Sequence, residues 1–240
     1  MIFKKDKIKF YCELPEIKEA YPIIPASSYK FNWVRESAIA FKETASKKGA
    51  YEQITGIVKC PGVFPIMKHG YIVQSWFDLT IRPLGDGRFE CHIPQGIFSY
   101  LKDRNFDKRL ISWFSGEEPA HAVPLSSEQV QSLIKITLPW SVSIPKGWQL
   151  MFIPIPYPDL TEFTAVHGLL ESGEFYNINA IIKINQCNKE FTIPAGTPLF
   201  QIIPAKLNLK EIEILDYNES IKELEIKNKF LSNNTFIIKK

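Results

Sequence analysis

The sequence predicts a mainly β protein: an antiparallel β-sandwich or a distorted barrel that carries two or three short helices. Two observations predict this fold class. Seventeen prolines are spread over the first 204 of the 240 residues, and proline neither donates to a sheet ladder nor fits a helix interior. Between the prolines, several segments alternate apolar and polar residues with the period of two that a half-buried strand requires. Many short strands are therefore expected.

One helix is expected near the N-terminus, over residues 32–49. Asn32 can cap its start, and the sequence KKG at 47–49 supplies a cationic last turn followed by glycine. Residues at i, i+4 spacing would share one face of this helix. They are Trp33, Ser37, Phe41 and Ala45.

A strand and a hairpin are expected in the middle of the chain. Phe77, Leu79 and Ile81 would share one face of a strand. Gly-Asp-Gly at 85–87 then supplies the positive φ of a tight turn into a second strand over residues 88–93. The other face of the first strand would carry Trp76, Asp78 and Thr80.

A second short helix is expected around residues 126–134. Ser126 and Gln129 form a capping box, and the apolar residues Val130, Leu133 and Ile134 follow it.

The clearest half-buried strand lies in the C-terminal half, where apolar residues alternate over 176–184. The turn sequences PKG at 145–147 and PAG at 194–196 precede strands over 148–153 and 199–203. The second of these strands is apolar on both faces, so burial on both sides is expected. The alternating apolar residues of the strand over 176–184 are Tyr176, Ile178, Ala180, Ile182 and Ile184.

The domain organisation follows from a change in composition. From Lys206 onward prolines and glycines vanish and charges dominate, and Ser220 with Glu223 resembles another capping box. The sequence therefore predicts a single β-rich domain over residues 1–205 and a charged C-terminal extension over residues 206–240.

Composition excludes several classes of protein. Apolar residues make up 45% and charged residues 23% of the chain, as in globular proteins. The net charge is only +3, which predicts neither nucleic acid nor a membrane as partner. The first residues lack the long apolar stretch of a secretory signal. We expect a protein of the host-cell cytoplasm or of a virion.

Motifs for catalysis, cofactors and metals are missing from the sequence. It has no G-x-S-x-G elbow and no phosphate-binding loop, so no catalytic residue, metal or cofactor is predicted. The four cysteines form no C-x-x-C pair and are expected to be reduced and mostly buried, although disulfides remain open. A metal centre would have to assemble from distant residues such as His69, His92 and His167.

Short motifs follow one another in a distinctive order. They are NWV at 32–34, CPGVF at 60–64, GYIV at 70–73, PKGW at 145–148 and PAGTPLFQIIP at 194–204. This order, over about residues 30–205, resembles a family of uncharacterised bacterial and phage proteins that is known only as a domain of unknown function. The resemblance implies a fold but no activity. The Lys- and Ile-rich composition also suits an AT-rich phage genome.

A second set of motifs lies within residues 144–203. It comprises IPKG at 144–147, GLLE at 168–171 and a Gly196-to-Gln201 finish. This segment is similar to the C-terminal half of trimeric all-β dUTPases and dCTP deaminases, and the resemblance implies a dUTPase-like fold. Glu171 stands where that family has Asp, and Pro198 stands where it has a phosphate-contacting Arg. The resemblance therefore implies a shared fold more than a shared chemistry.

These observations lead to two main functional hypotheses. The first is a non-enzymatic structural or interaction protein, phage-associated, that forms a homo-oligomer or binds other virion or phage proteins. The second is a nucleotide-binding or nucleotide-hydrolysing enzyme related to the all-β dUTPases, and a cupin-like metalloenzyme is a third, weaker hypothesis. The candidate ligand pocket consists of Asp78, Glu171, Gln201 and Trp76. Trp76 would mark a binding face if exposed and belong to the core or an interface if covered.

Overall fold

The computed structural model describes residues 7–47, 62–85, 88–113, 133–185 and 189–206, together with residues 223 and 227. The chain divides into two compact units, Met1–Leu207 and Asn208–Lys240. Almost all of the predicted charged extension lies outside the described residues, so the predicted domain boundary at residue 205 stays a prediction.

Strands are the predominant secondary structure of the described residues, and all of their strand pairs are antiparallel. The mainly β fold class is therefore confirmed. The strands are β1 (Lys9–Cys12), β2 (Ile24–Pro25), β3 (Tyr71–Gln74), β4 (Leu79–Gly85), β5 (Arg88–His92), β6 (Ile111–Trp113), β7 (Leu133–Ile144), β8 (Trp148–Ile153), β9 (Phe163–Ala165), β10 (Gly168–Leu170), β11 (Gly173–Ile184), β12 (Phe191–Ile193) and β13 (Pro198–Lys206).

These strands form three sheets and no closed barrel within the described ranges. The front sheet has the order β1-β7-β11-β9, with β6 also paired to β7. The back sheet has the order β10-β8-β13-β3-β2, and a small sheet has the order β12-β4-β5. Ile182 of the front sheet, Ile202 of the back sheet and Ile81 of the small sheet are fully buried in one hydrophobic cluster. Two sheets that share a core in this way form a sandwich.

Helices are the minority, as predicted, and their described bounds are α1 (Pro15–Ala20), α2 (Asn32–Lys47), α3 (Val63–Lys68) and α4 (Gln95–Asp103). A 3₁₀ turn covers Ala26–Ser28. The prediction of a helix from Asn32 is confirmed by α2. The other three helices have only six to nine residues, too short for a clear periodic pattern. No described helix is both long and apolar enough to cross a membrane.

The helix predicted around residues 126–134 is wrong where it can be compared. Leu133 and Ile134 begin β7, and both side chains are buried. Ser126 and Gln129, which suggested the cap, lie outside the described residues. The pairing of β7 with β6 and β11 decides the conformation here, because non-local pairing overrides a local capping pattern.

The predicted strand pattern of the C-terminal half is confirmed. Ile178, Ala180, Ile182 and Ile184 of β11 are all buried, while Tyr176 at its start is exposed. The predicted hairpin is also present, since β4 pairs with β5 up to Gly85 opposite Arg88. The middle of β13 is buried on both faces, as expected.

A second hydrophobic cluster covers the outer face of the back sheet. It contains Ile72 of β3 together with buried residues from the 3₁₀ turn, from α3, and from the segments before α2 and after β8. The other buried members are Ala26, Phe31, Met67 and Ile155. The back sheet is therefore covered on both faces around β3 and β13, as the double burial of β13 requires.

An ion pair joins α1 to the end of α4, and it should make the stability of the protein depend on pH. Arg104 Nε donates to Glu16 Oε1 at 3.0 Å, and Tyr100 donates to Glu16 Oε2 at 3.0 Å. The hydrogen bonds from Arg104 lower the pKa of Glu16 from 4.5 to about 2. Because this pKa is lowered by folding, the contact stabilises the protein above pH 4.5 and is lost as the pH falls toward 2. We expect Arg104→Gln to raise the Glu16 midpoint toward 4.5, measured by carboxyl ¹³C NMR.

Arg82→Gln is the matched control, because Arg82 pairs with Glu90 in the small sheet. It should leave the Glu16 midpoint unchanged. A Glu16 midpoint near 4.5 in the unsubstituted protein would contradict the pairing.

Candidate functional site

An open pocket of about 380 Å³ lies between β11 of the front sheet and β10 of the back sheet. We call it the inter-sheet pocket. Phe152 and Phe200 line it, with ring centroids 5.4 Å apart. Leu169, Leu170 and Ile178 add further apolar surface. A pocket of this size, mostly apolar with a few polar groups, is the usual form of a small-molecule or side-chain binding site.

The pocket exists because β9 leaves β11 early. β9 pairs with β11 only from Ile182 to Ile184, and Val166 N makes one further hydrogen bond, to Ile181 O at 2.8 Å. The chain then crosses to the back sheet, where Gly168 begins β10. Residues 177–179 and 181 of β11 therefore line an opening between the diverging edges of the two sheets.

Four polar side chains line the inter-sheet pocket: Lys135, His167, Asn177 and Asn179. Asn177 is oriented by Ser141, whose hydroxyl donates to Asn177 Oδ1 at 3.1 Å. That bond leaves the amide NH₂ of Asn177 as a donor. The pocket thus combines an aromatic floor with carboxamides and one ammonium group, a set that binds and orients a ligand.

Two exposed aromatic residues lie beside this pocket, and we call them the aromatic patch. Tyr11 and Phe175 are 40% and 66% exposed, and their rings are 5.5 Å apart. Tyr176, 37% exposed, lies on the core-facing side of the front sheet, because it pairs with the buried Val142. Gly173 makes room for its ring, because a Cβ there would lie 2.6 Å from Cε2 of Tyr176.

Phe175 adopts a backbone conformation that is unusual for its type. Its φ is +58°, in the left-handed region that normally suits glycine or asparagine. It lies in a register shift of β11 between Gly173 and Tyr176, and such bulges redirect side chains at sheet edges. A large apolar side chain is thus held outward by a strained backbone.

The aromatic patch and the inter-sheet pocket are neighbours on the front sheet. Tyr11 lies opposite Ser141, and Ser141 lies opposite Asn177. Directly opposed residues have Cβ atoms about 5 Å apart. Tyr11, Ser141 and Asn177 therefore form a row across the front sheet that leads from the patch to the pocket. Together they form one surface along β11.

Trp76 and Asp78, two of the predicted site residues, lie at the start of the small sheet and next to the back sheet. Trp76 is only 2% exposed, and its indole N–H donates to Thr137 O at 3.2 Å. It is therefore a core residue. Asp78 is exposed, and its Oδ1 accepts the backbone N–H of Ala195 at 2.7 Å.

Gln201 and Glu171, the other two predicted site residues, lie in different surroundings. Gln201 is fully buried, and its Nε2 donates to Ile66 O at 2.6 Å and also to His69 O. Glu171 is exposed just after β10, beyond Leu170. None of the four residues lines the inter-sheet pocket.

The structure brings Asp78 and Glu171 to opposite ends of β13. Asp78 bonds to the turn before that strand, whereas Leu170 aligns through Leu150 with Pro204 near its end. At about 3.3 Å per residue, these positions are on the order of 25 Å apart. Contact of any of the predicted residues with a ligand stays a prediction.

Groups suited to metal binding or nucleophilic attack are scattered over the part of the chain that the structure describes. Within the described ranges, no three His, Cys, Asp or Glu side chains are close enough to hold a metal ion. Cys12 and Cys91 are free and half-buried, while Cys60 and Cys187 lie outside the described residues. Burial, with the adjacent charge of Glu90, raises the pKa of Cys91 to about 12. Its thiol is therefore protonated and unreactive at neutral pH.

No protein-family model matches the sequence, and no curated protein matches it either. The structures similar to the chain include phage dUTPases. A mutant dUTPase of Staphylococcus bacteriophage 80alpha with dUpNHpp is 16% identical, with 35% of this chain and 75% of that chain covered and a TM-score of 0.26. Another mutant of that enzyme is 12% identical, covers 63% and 85%, and has a TM-score of 0.34.

A mutant dUTPase from phage phi11 of S. aureus is 12% identical, covers 70% of this chain and 92% of that chain, and has a TM-score of 0.32. Its description names a structural Mg(II) ion in that enzyme. These are proteins of the class that residues 144–203 resemble. Likeness at this level assigns no activity, and the chain itself is a mainly β protein with remote similarity to phage dUTPases.

Proposed function

We propose that the protein is a non-enzymatic interaction module of phage origin that self-associates through the aromatic patch and the adjoining inter-sheet pocket. The observation that carries this proposal is Phe175, which is 66% exposed with φ +58°. A left-handed backbone costs a residue of this type roughly 1–2 kcal/mol. Exposing the ring to water adds to that cost, and strained residues of this kind cluster at functional sites.

The composition of the surface favours a protein partner. Tyr and Phe are enriched at protein–protein interfaces, where they supply large buried area and anchor the contact. Tyr11 also carries a hydroxyl, which can pair with polar groups of the partner at the rim.

A second copy of this chain is the partner that we favour. In a two-fold dimer the same patch occurs on both subunits, so Phe175 of one subunit can enter the inter-sheet pocket of the other. Phe152, Phe200 and Leu169 offer that ring an apolar site. Such mutual insertion would bury two exposed aromatic rings at once.

Phe175→Asn is expected to weaken self-association at least tenfold without destabilising the monomer. Asparagine tolerates the left-handed backbone far better than phenylalanine does, so the free energy of unfolding should stay constant or rise by up to about 1 kcal/mol. Sedimentation equilibrium measures the association, and urea unfolding of the dilute protein measures the stability.

Phe98→Ala is the control for this experiment. Phe98 is 54% exposed on α4, so this variant also removes an exposed aromatic ring but should leave association unchanged. Unsubstituted protein that stays monomeric at high micromolar concentration would contradict the proposal. The proposal would also be contradicted if Phe175→Asn lowered the free energy of unfolding by as much as it lowered the free energy of association.

Nucleotide binding is a second candidate, and the inter-sheet pocket favours it. Phe152 could stack on a base, Asn177 and Asn179 could pair with its edge, and Lys135 could attract a phosphate. A nucleotide at 100 times its Kd would add about 2.7 kcal/mol of stability. Thermal unfolding with millimolar nucleotides and Mg²⁺ separates the two candidates, because self-association alone predicts no shift.

A further inference from the structure

A second pocket, of about 320 Å³, lies where the segment after β8 meets the turn before β13. We call it the proline-lined pocket. Pro158, Pro194 and Pro198 form part of its wall, and Tyr29 and Phe31 from the segment before α2 form another part. It shares no lining residue with the inter-sheet pocket.

Aromatic rings supply one side of this pocket. Tyr29 and Phe31 are in edge-to-face contact, with centroids 4.8 Å apart and planes at 71°. Phe31 is buried and therefore fixed, whereas Tyr29 is half-buried at the opening. Rings held at such an angle present both a face and an edge, and aromatic faces attract cations.

Asp159 is the acidic residue among those lining this pocket. Its Oδ2 accepts two hydrogen bonds at the start of α2, from Asn32 N at 3.5 Å and Asn32 Nδ2 at 3.3 Å. Both bonds use the same oxygen, so Oδ1 remains available as an acceptor. Burial, and then the charge of Asp159, raise the pKa of Tyr29, which indicates that the carboxylate acts on the aromatic wall.

The turn that forms the opposite wall has no backbone donor to offer. Ala195 N donates to Asp78 Oδ1 at 2.7 Å and Gly196 N donates to Ser75 O at 2.7 Å. Thr197 N donates to Pro194 O at 3.0 Å, and the prolines at either end have no N–H. An anion would therefore find no backbone N–H on this wall, whereas a cationic donor finds a carboxylate nearby.

We propose that the proline-lined pocket binds an alkylammonium or guanidinium cation, either as a free amine or as a lysine or arginine side chain of a peptide. The cation contacts Asp159, and its alkyl stem packs on Tyr29, Phe31 and the prolines. The apolar stem of such a cation matches the aromatic and proline walls, and its charged head matches the carboxylate of Asp159. This site is separate from the surface that we assign to self-association.

NMR titration of the folded protein tests the proposal with defined probes. The amide signals of Ala195, Gly196 and Thr197 report on the pocket wall. N-acetyl-lysine methylamide and n-butylammonium should each shift these signals with millimolar affinity, and the neutral N-acetyl-norleucine methylamide should bind at least tenfold more weakly. Tighter binding of the lysine compound than of n-butylammonium identifies a peptide as the source, and equal binding identifies a free amine.

Asp159→Asn separates the charge from the structural role of this residue. The amide oxygen can still accept the Asn32 hydrogen bonds, so α2 should keep its start while binding of the cations falls at least tenfold. Tyr29→Leu removes one of the two aromatic rings of the wall and should also weaken binding. Asp103→Asn on α4 makes the same charge change away from the pocket and should bind normally. Equal binding of the neutral probe, or unchanged binding by Asp159→Asn, would overturn the proposal.

Discussion

Replacing Gly70 with alanine is expected to destabilise the protein by about 4 kcal/mol or more, at the severe end for a single substitution. Gly70 has φ +71°, and an added Cβ would overlap the carbonyl oxygen of Ile202. That Cβ would also lie 3.0 Å from the carbonyl carbon of Ile202 and 3.1 Å from Cα of Ile203. All three atoms belong to the backbone of β13, so no side chain can rotate away. Urea unfolding, followed by tryptophan fluorescence, measures the loss.

Gly147→Ala is the matched control for Gly70. Gly147 has a similar φ, +79°, but an added Cβ would have no atom within 4 Å among the described residues. Only the cost of the left-handed backbone remains, roughly 1–2 kcal/mol. The difference between the two variants therefore measures the close approach of Gly70 to β13. Equal losses in both variants would show that the backbone conformation alone decides the cost.

Gln201→Leu is expected to cost about 1–3 kcal/mol, the second large effect. The fully buried amide donates to Ile66 O and His69 O at the end of α3. Leucine has a similar size but no donor, so His69 O loses this partner, while Ile66 O keeps only the hydrogen bond from His69 N at 3.3 Å. The same urea unfolding experiment measures this loss.

Gln149→Leu is the corresponding control. Gln149 lies in the neighbouring strand β8 and is only half-buried, so its replacement should change the free energy of unfolding by less than about 0.5 kcal/mol. If Gln201→Leu were as mild as this control, the amide would not hold α3 to β13.

The sequence predicted those parts of the fold that depend on local pattern. The alternation of β11, the hairpin of β4 and β5 and the double burial of β13 all follow from residues that are close in the chain. The start of β7 was mistaken for a helix because Leu133 and Ile134 follow a capping pattern. Their true environment depends on strands β6 and β11, which no local window contains.

The candidate site was harder to predict than the fold. Asn177 and Asn179 belong to the polar side of a correctly predicted strand, yet the opening beside them arises only because β9 turns away after three pairs. The exposure of Phe175 depends on a register shift that composition does not reveal. The partners of Gln201 lie 132 and 135 residues earlier in the chain, so its structural role was hidden from sequence reasoning.

The long separation between Gln201 and α3 also bears on the order of assembly during folding. Contacts that close loops of more than 130 residues carry a large entropy cost and form late. We expect α3 to dock only after β13 has joined the back sheet. Until then the apolar face around Ile72 would be exposed on a nascent chain, where a chaperone could bind it.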